Sequence, residues 1–303
     1  MVEVEIFGDG GAKLIQLNRF VLPKIKGIAR DWPLEHFKEL QRQSISTSIS
    51  ALWLELVGRV FLASALSLSR TEQWIRSIVG AYQARSYLGF AASLRGLLES
   101  AADSMYTLEN VGITLGTNWK NLSGALEGTV NLAPPKEFED KLIHFLYARA
   151  HGKKDVVPDG HAALTTREYI DVIRRFEPGL ETLYKELCEL SHPTAPSVAW
   201  MVQQTASSDH FELHFLGETA SSQMICDLLD RYRNPITALM MAATNYAFVS
   251  LKLIRKLEIE DFDLGVFDKI EFSNLPIWKK IETLILSSQW DLIPVKRRGR
   301  FPS

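Results

Sequence analysis

The chain has 303 residues, of which 46% are hydrophobic and 23% are charged. Its 34 lysines and arginines nearly balance its 36 aspartates and glutamates, so the net charge is −2. This composition excludes an intrinsically disordered chain, which would carry fewer apolar residues and more net charge. It also excludes a disulfide-stapled scaffold, because there are only two cysteines, and it provides no basic field for non-specific nucleic-acid binding.

The first residues alternate between apolar and acidic side chains. The alternation runs over residues 2–6, and it is typical of a half-buried strand. A glycine-rich turn follows at residues 8–11, and residues 13–17 can return as a second strand. The sequence therefore predicts a small N-terminal hairpin with a lead-in, together spanning residues 1–30.

Most of the following chain has the three- and four-residue periodicity of amphipathic helices. Residues 198–203 and 210–215 instead alternate like strands and predict a second hairpin, and residues 151–165 have the composition of a linker. The predicted helical segments are 33–108, with a helix start at Thr71 and bends at Gly80 or Gly89, then 119–130, 137–150, 166–176, 178–191, and 221–257 with a kink at Pro235.

The pattern predicts an all-α fold, a multi-helix bundle with long central helices and one or two small β-hairpins. The predicted division places the N-terminal hairpin and lead-in at residues 1–30, the helical bundle at 31–257 and a C-terminal extension at 258–303. The extension has a short helix near residues 277–287 and a basic tail. The first residues lack the basic segment and apolar run of a signal peptide, and we expect a cytoplasmic protein.

One uncharged stretch has the length of a membrane span. It runs over residues 234–251 and is flanked by Arg233 and Lys252. It also contains asparagine, proline, threonine, tyrosine and serine, which makes it too polar for a bilayer core and ordinary for a buried central helix. We therefore expect no membrane among the partners of this protein.

The helix predicted around residues 89–108 carries a row of polar residues between two other faces. One face is apolar, and the other carries small residues at four-residue spacing, which lets a neighbouring helix approach closely. Arg95, Glu99, Asp103 and Tyr106 stand between these faces. Arg95 and Glu99 are four residues apart and can form an ion pair, which is either structural or part of the wall of a polar pocket.

A second candidate group ends the helix predicted over residues 178–191. Tyr184, Ser191 and His192 fall on one face, beside the leucine stripe that faces the core. Pro193 ends this helix because a proline disfavours the helical conformation of the residue before it. His192 then either caps the last carbonyl groups of the helix or acts as a functional imidazole.

The second strand of the later hairpin gives a third candidate group. Strand alternation places His210, Glu212 and His214 on one face, and two imidazoles with a carboxylate can bind a divalent metal ion. The same alternation is ordinary for the wet face of a half-buried strand, which is the interpretation that we favour. The sequence therefore assigns no cofactor and no metal, and these three residues are the remaining metal candidate.

Two segments together resemble a known group of proteins. The stretch Arg95-Gly-Leu-Leu-Glu99, continuing to Tyr106, resembles the Arg-x-x-x-Glu helix of uncharacterised bacterial helical-bundle proteins that are distantly similar to HEPN domains. Tyr184 with Leu190-Ser191-His192-Pro193 resembles the end of a second helix in that group, where the serine and the histidine are not adjacent. The resemblance covers roughly residues 70–255 and consists of short motifs.

Many HEPN proteins are metal-independent RNases of bacterial toxin–antitoxin or phage-defence systems, and their motif is an arginine followed after four to six residues by a histidine. This chain departs from that motif, because Arg30 and His36 have the spacing but Pro33 interrupts the helix between them. The resemblance thus implies a protein that acts on or binds RNA or a nucleotide, with its arginine and histidine supplied by different helices.

On this interpretation RNA cleavage without a metal ion needs a base for the 2′-hydroxyl and a cation for the pentavalent phosphate. An imidazole and a guanidinium are groups of these types, so Arg95 and His192 must meet in one cleft. The candidate catalytic residues are His192, Arg95 and Glu99, and the candidate binding residues are Asp103, Tyr106, Tyr184 and Ser191.

The alternative is a non-catalytic helical scaffold that binds a partner protein or forms a homodimer. It predicts a large exposed apolar patch around Trp278, Trp290 and residues 258–272, without a polar pocket. The two interpretations therefore differ in the surface that they require, which is a polar cleft for the first and an apolar patch for the second.

Overall fold

A computed structural model describes residues 2–130, 132–150, 156–158, 160–206, 210–217 and 219–289. Its regular structure is almost entirely helical, and the predicted all-α bundle with small hairpins is confirmed. The helices are α1 (Val2–Val21), α2 (Leu34–Gln43), α3 (Ile45–Gln83), α4 (Tyr87–Leu108), α5 (Val111–Thr117), α6 (Trp119–Leu126), α7 (Lys136–Tyr147), α8 (Thr166–Phe176), α9 (Gly179–Ser191), α10 (Pro196–Ala199), α11 (Thr219–Arg255) and α12 (Pro276–Gln289). The strands are β1 (Lys26–Gly27), β2 (Val202–Ala206), β3 (Phe211–Phe215) and β4 (Phe262–Asp263), and they pair antiparallel as β1–β4 and β2–β3.

Three long helices, α3, α4 and α11, pack against one another at the centre of the bundle. Their facing sides carry fully buried apolar residues, as the helical periodicity of the sequence requires. Helix α1 packs on α11, while α8 and α9 pack on α4. Helices α5, α6 and α12 pack together at a second core cluster that includes part of α3. Helix α4 is thus covered on several sides, which places its polar row between neighbouring helices.

The N-terminal segment is a kinked helix, so the hairpin predicted there is wrong. Ile6 and Phe7 are adjacent and both buried, whereas a half-buried strand would expose one of them. Gly8 has φ 68° and ψ 173°, which interrupts the helix for one residue. The Thr237 hydroxyl donates a hydrogen bond to the Phe7 carbonyl at 2.9 Å. Packing against α11 therefore has more influence on the conformation of this segment than its short alternating pattern.

The helical stretch predicted over residues 33–108 is divided into three helices. Ser44 separates α2 from α3, and its side chain caps the N terminus of α3 by accepting a hydrogen bond from a backbone amide at 3.0 Å. Residues 84–86 separate α3 from α4, and Arg85 there has φ 53°. The chain reverses at this point, and α4 packs back along α3.

The sequence predicts interruptions of the helices at three places. Those at Thr71 and at Gly80 or Gly89 are wrong, and the one at Pro235 is confirmed. The observed break lies between Gly80 and Gly89, which are themselves within α3 and α4. Thr71 is buried in the middle of α3 and does not start a helix. The kink expected from Pro235 is confirmed, because Tyr232, three residues before it, has φ −118° and ψ 21° within α11.

The helices predicted between residues 119 and 191 are confirmed with small shifts at their ends. Helix α8 starts with a capping box, in which the Thr165 side chain accepts from the Glu168 amide and the Glu168 carboxylate accepts from the Thr165 amide. The linker predicted over residues 151–165 lies partly outside the described residues. The second hairpin is confirmed, although its first strand starts at Val202 because the short helix α10 precedes it.

The stretch after α11 packs into the bundle, so the apolar patch predicted there is not exposed within the described residues. Phe267, Phe272 and Trp278 are all buried in the second core cluster. The Lys252 ammonium donates a hydrogen bond to the Phe267 carbonyl and thereby links α11 to this stretch. Trp290 and the basic tail lie outside the described residues.

Two helices are long and apolar enough to cross a membrane, namely α3 and the Ala220–Arg255 part of α11. The most apolar windows of these helices are 61% and 67% buried inside the protein. Core helices of soluble proteins satisfy the same criterion, so the finding is a weak indication of a span. The cytoplasmic localisation therefore stays a prediction.

A buried group of charges connects the segment before α2 to α3 and α7. Glu55 is 5% exposed and pairs with Arg59 one turn later, and Arg59 also donates to Asp31 at 2.8 Å. The Tyr147 hydroxyl of α7 donates to the second oxygen of Asp31. Burial, together with the nearby Asp31 carboxylate, raises the pKa of Glu55 to about 7. Burial also acts to raise the pKa of Asp31, but its hydrogen bonds outweigh burial and lower that pKa to about 2.

We expect the Glu55 carboxyl to make stability fall as the pH rises from its ordinary pKa of 4.5 to about 7, because the folded state binds the extra proton in that window. Glu55→Gln cannot ionise and should lose this dependence. The free energy of unfolding of the variant, relative to wild type, should rise by on the order of 2–3 kcal/mol between about pH 4.5 and about pH 7.5.

Urea denaturation of both proteins at the two pH values measures this difference. Glu139→Gln is the matched control, because Glu139 lies 3.9 Å from Arg59 at the edge of the same group and is a third exposed. It should keep most of the wild-type pH dependence, because the Glu139 charge is the smallest of the causes that raise the pKa of Glu55. A Glu55→Gln protein with the wild-type pH dependence would contradict the assignment of a proton to Glu55.

Gly8→Ala should lower the free energy of unfolding by about 1–3 kcal/mol, since only glycine adopts the Gly8 conformation without strain. An added Cβ would also lie 3.0 Å from Thr237 Oγ1. Gly10→Ala, in the same helix, is the control: its Cβ would make ordinary contacts at 3.5 Å and should raise stability by up to about 1 kcal/mol. Urea denaturation compares the two variants, and equal stabilities would show that the kink does not require glycine.

Candidate functional site

Helix α4 brings its polar row to the surface that faces α8 and α9. Its apolar side is buried in the first core cluster, with Phe90, Leu94 and Leu98 fully inaccessible to solvent. The small residues of the other stripe, among them Gly96, face α3. A Cβ at Gly96 would overlap the Trp74 ring, so the absence of a side chain lets the indole lie against α4. The polar row between the two faces remains accessible along a cleft.

Arg95 of α4 reaches the C-terminal end of α9. Its Nη1 lies 3.2 Å from Nε2 of His192 and donates a hydrogen bond to the Ser191 hydroxyl at 3.1 Å. A guanidinium carries only donors, so Nε2 is the acceptor in the contact with His192. The structure thus brings the imidazole and the guanidinium together, although 97 positions separate them in the chain.

Glu99 fixes the orientation of this guanidinium. Its Oε1 accepts from Arg95 Nε at 2.9 Å and from the Tyr184 hydroxyl at 2.9 Å, so one carboxylate oxygen joins α4 to α9. Burial lowers the pKa of Arg95, but the hydrogen bond and charge of Glu99 outweigh that effect and raise it. Burial, with hydrogen bonds to Cys188 and Glu99, raises the pKa of Tyr184. At neutral pH the arginine is therefore a cation and the tyrosine a hydrogen-bond donor.

The end of α9 sets the position of the other two residues. The Ser191 hydroxyl donates to the Leu187 carbonyl at 2.6 Å, which turns its oxygen toward Arg95. His192 has φ −103° and ψ 159°, the extended conformation that Pro193 imposes on the residue before it. The imidazole is exposed, while its backbone amide still donates to the last turn of α9. The proline therefore places the histidine at the helix end with its ring accessible to a ligand.

A cleft of about 560 Å³ extends from this group along α4. Its far end holds a second arginine, Arg70 of α3, which donates to the Asp103 carboxylate at 2.7 Å and to the Ser100 carbonyl at 3.1 Å. The residues that define the cleft are Arg70, Trp74, Arg95, Glu99, Asp103 and Ser191. Each of its two arginines is thus paired with a carboxylate of α4.

The polar network continues from Asp103 into α8 and α7. The Tyr169 hydroxyl donates to Asp103 at 3.3 Å and lies 3.0 Å from Nε2 of His144. His144 is 4% exposed, and burial lowers its pKa against the opposing effect of Asp103, so at neutral pH this imidazole is neutral. Burial and Asp103 also raise the pKa of Tyr169. The sequence interpretation missed Arg70, Tyr169 and His144.

Tyr106 lines a different cavity from Arg95, and its role as a binding residue stays a prediction. Its ring lies 5.2 Å from the ring of His144, and the Lys141 ammonium lies 5.3 Å from its centre. It contributes to a neighbouring cavity of about 770 Å³ between α7 and α8. His144 contacts both Tyr106 and Tyr169, and these two tyrosines line different cavities. The other predicted residues, Asp103, Tyr184, Ser191, His192, Arg95 and Glu99, lie in or against the cleft.

The histidines of the hairpin are elsewhere on the surface. Glu212 has one carboxylate oxygen 3.2 Å from Nε2 of His210 and the other 3.0 Å from Nε2 of His214. Within the part of the chain that the structure describes, no group of three or more histidine, cysteine or acidic side chains is arranged to hold a metal ion. The three residues form a row of hydrogen bonds along one strand.

No protein-family model, curated protein or solved structure matches this chain. The chemistry available in the cleft follows from its side chains. Arg95 and Arg70 supply cationic donors for an anionic ligand, His192 supplies an accessible imidazole, and the Tyr184 hydroxyl holds the Glu99 carboxylate beside Arg95. These groups suit an extended anion such as a nucleotide or a nucleic-acid backbone.

Asp103→Asn should lower the free energy of unfolding by about 1–3 kcal/mol, because this 14%-exposed carboxylate accepts hydrogen bonds from Arg70 and Tyr169. Asp140→Asn is the control, since Asp140 forms an exposed pair with Lys136 one turn away on α7 and should change stability by less than about 0.5 kcal/mol. Urea denaturation at neutral pH measures both. Equal losses would contradict a structural role for the Asp103 network.

Proposed function

We propose that this chain is a HEPN-like helical-bundle protein that binds RNA in the cleft of Arg95 and His192 and cleaves it without a metal ion. The observation that supports the proposal most directly is the 3.2 Å contact between Arg95 Nη1 and His192 Nε2 at an open polar cleft. The two helices resemble uncharacterised proteins that are distantly similar to HEPN domains, many of which are RNases, and this resemblance supports the choice of RNA. A role in bacterial toxin or phage-defence systems rests on that resemblance alone.

The proposed reaction uses His192 as the base. Its Nε2 has an accepting lone pair, which Arg95 occupies in the free protein. When a phosphodiester enters, the guanidinium donates to a phosphate oxygen and Nε2 takes the proton of the 2′-hydroxyl. The 2′-oxygen then bonds to phosphorus, the bond to the 5′-oxygen breaks, and water protonates the leaving 5′-oxygen. The products are a 2′,3′-cyclic phosphate and a 5′-hydroxyl.

Arg95 stabilises the charge that develops on the pentavalent phosphate, and Glu99 and Tyr184 are positioning residues. The carboxylate of Glu99 holds Nε of the guanidinium, which leaves the outer nitrogens to face the ligand. The Tyr184 hydroxyl holds the carboxylate in turn. Ser191 and Asp103 lie on either side along the cleft, where their neighbours Arg95 and Arg70 are 3.1 Å and 2.7 Å away. This arrangement fixes the cation before the substrate binds.

A second candidate function, a non-catalytic scaffold that binds a partner protein or a second copy, is favoured by a different observation. Its expected patch at Trp278 is buried, but the β2–β3 hairpin exposes the side chains of Phe211, Leu213 and Phe215. Large apolar side chains rarely cluster on a free surface. On this interpretation the polar cleft is a structural network and RNA is left intact.

The test is incubation of purified protein with a 5′-labelled oligoribonucleotide in the presence of a chelator. Wild type should produce a 2′,3′-cyclic phosphate end, and a 2′-deoxy oligonucleotide should stay intact because it lacks the attacking hydroxyl. His192→Ala should slow cleavage by roughly 10²–10⁴-fold, which is the usual contribution of a general base. Arg95→Ala should slow it by roughly 10²–10³-fold.

His36→Ala is the matched control, because His36 is a partly exposed histidine of α2, away from the cleft, and its loss should leave the rate unchanged. Intact RNA in the wild-type reaction would overturn the proposed cleavage. Binding of the labelled oligonucleotide by gel shift would then separate a binding protein, weakened by Arg95→Ala, from the scaffold, which binds no RNA. Cleavage that is equally fast in His192→Ala would assign the activity to other residues.

A further inference from the structure

The β2–β3 hairpin stands out from the bundle, and all ten residues of its strands are exposed. Phe211, Leu213 and Phe215 share one face and are 69%, 70% and 79% exposed. An isolated two-stranded hairpin is marginally stable in water and needs a third strand or a packed face. Within the described residues β3 pairs only with β2, so its other edge is open.

The register of the hairpin shows which backbone groups face that open edge. The Leu216 amide donates to the Met201 carbonyl at 2.8 Å, so residues 201 and 216 form a hydrogen-bonded pair. Because hydrogen-bonded pairs alternate in an antiparallel ladder, the next ones are 203 with 214 and 205 with 212. The amides and carbonyls of Phe211, Leu213 and Phe215 therefore point away from β2. The β3 residues include no lysine or proline, the residues with which natural edge strands usually prevent pairing.

We propose that β3 pairs antiparallel with β3 of a second copy of this chain, about a two-fold axis at Leu213, so that two hairpins form a four-stranded sheet. The pairs that meet across this axis are Phe211 with Phe215 of the partner subunit and Leu213 with itself. All of these have backbone groups that face the open edge, so both strands can satisfy their hydrogen bonds. Cyclic two-fold symmetry is the commonest arrangement of homo-oligomers, and it requires such a self-complementary surface.

Charge complementarity selects this register over its neighbours. On the opposite face of the sheet, the axis at Leu213 places Glu212 beside His214 of the partner subunit. The two-fold symmetry places His214 beside Glu212 of the partner subunit in the same way. A shift of the axis to Glu212 would oppose two glutamates. A shift to His214 would place Glu212 opposite Leu216 of the partner subunit and lose both carboxylate–imidazole pairs. Like charges directly opposite each other in a sheet are unfavourable, whereas a carboxylate and an imidazole attract or hydrogen-bond.

The β2 edge is a weaker candidate for the same pairing. On this strand the backbone groups of Val202, Gln204 and Ala206 face the open edge. The side chains of Gln203 and Thr205 lie on the opposite face of the sheet. These side chains provide neither a charge pair nor large apolar contacts across a two-fold axis. The occupant of the hairpin edge is therefore a second copy bound through β3, and the pairing uses no residue of the Arg95 cleft.

The test is the mass of the protein in solution, measured by light scattering and sedimentation over a range of concentrations. Wild type should have twice the 34.2 kDa mass of one chain. Leu213→Pro removes an amide that faces the open edge and leaves the β2–β3 hydrogen bonds in place, so this variant should be monomeric. Gln204→Pro removes the corresponding amide on the β2 edge, directly across from Leu213, and should remain dimeric.

A charge swap tests the register. Glu212→Lys should raise the dimer dissociation constant roughly tenfold, because both symmetry-related pairs are lost. Adding His214→Glu in the same chain should restore the wild-type value, since each lysine again meets a carboxylate. Circular dichroism controls for the folding of every variant.

A wild-type protein that is monomeric at all concentrations would overturn the proposal. So would a dimer in both proline variants, which would place the interface elsewhere, or recruitment of a foreign strand with no self-association. If both proline variants are monomeric, the charge swap decides, and a lack of rescue would overturn the pairing. RNA cleavage is measured separately, because Leu213→Pro leaves the cleft residues unchanged.

Discussion

The guanidinium of Arg95 joins α4 to the end of α9, and the geometry of the candidate site follows from it. A half-buried cation loses much of its hydration and needs partners in fixed positions. Glu99 supplies the negative charge from the next turn of α4, and Tyr184 holds that carboxylate from the facing helix. With the guanidinium held in this way, its Nη1 reaches Ser191 and His192 at the point where α9 ends. One ion pair therefore orients residues from two helices.

The cleft repeats this arrangement at its other end, where Arg70 of α3 pairs with Asp103 of α4. Because each arginine has its own carboxylate, the cleft is polar without a strong net charge, in agreement with the balanced composition of the chain. An anionic ligand must then replace existing hydrogen bonds and not simply enter a positive field. Affinity in such a cleft depends on how many guanidinium donors the ligand satisfies at once, which favours a ligand with more than one phosphate.

Much of the fold could be predicted, because a long periodic pattern of apolar residues identifies a helix reliably. α4, α8, α9 and α11 each bury a stripe that repeats every three or four residues, and their positions follow from that stripe. The N-terminal helix was not predictable in this way, since the alternation over residues 2–6 is too short to outweigh packing against α11. The sequence predicts a turn at Gly8, and this residue does interrupt the regular backbone, but within a helix. The burial of Trp278 was also missed, because an apolar residue in a short helix gives no sign of what covers it.

The local parts of the candidate site follow from the amino-acid sequence alone. The spacing of Arg95 and Glu99 gave their ion pair, and Pro193 gave the helix end that carries His192, because both depend on residues within one turn. The meeting of these parts is a property of the folded chain, which also brings Arg70, Tyr169 and His144 to them from three further helices. Contacts between helices depend on how complete side-chain surfaces fit together, and no spacing along the chain records that fit.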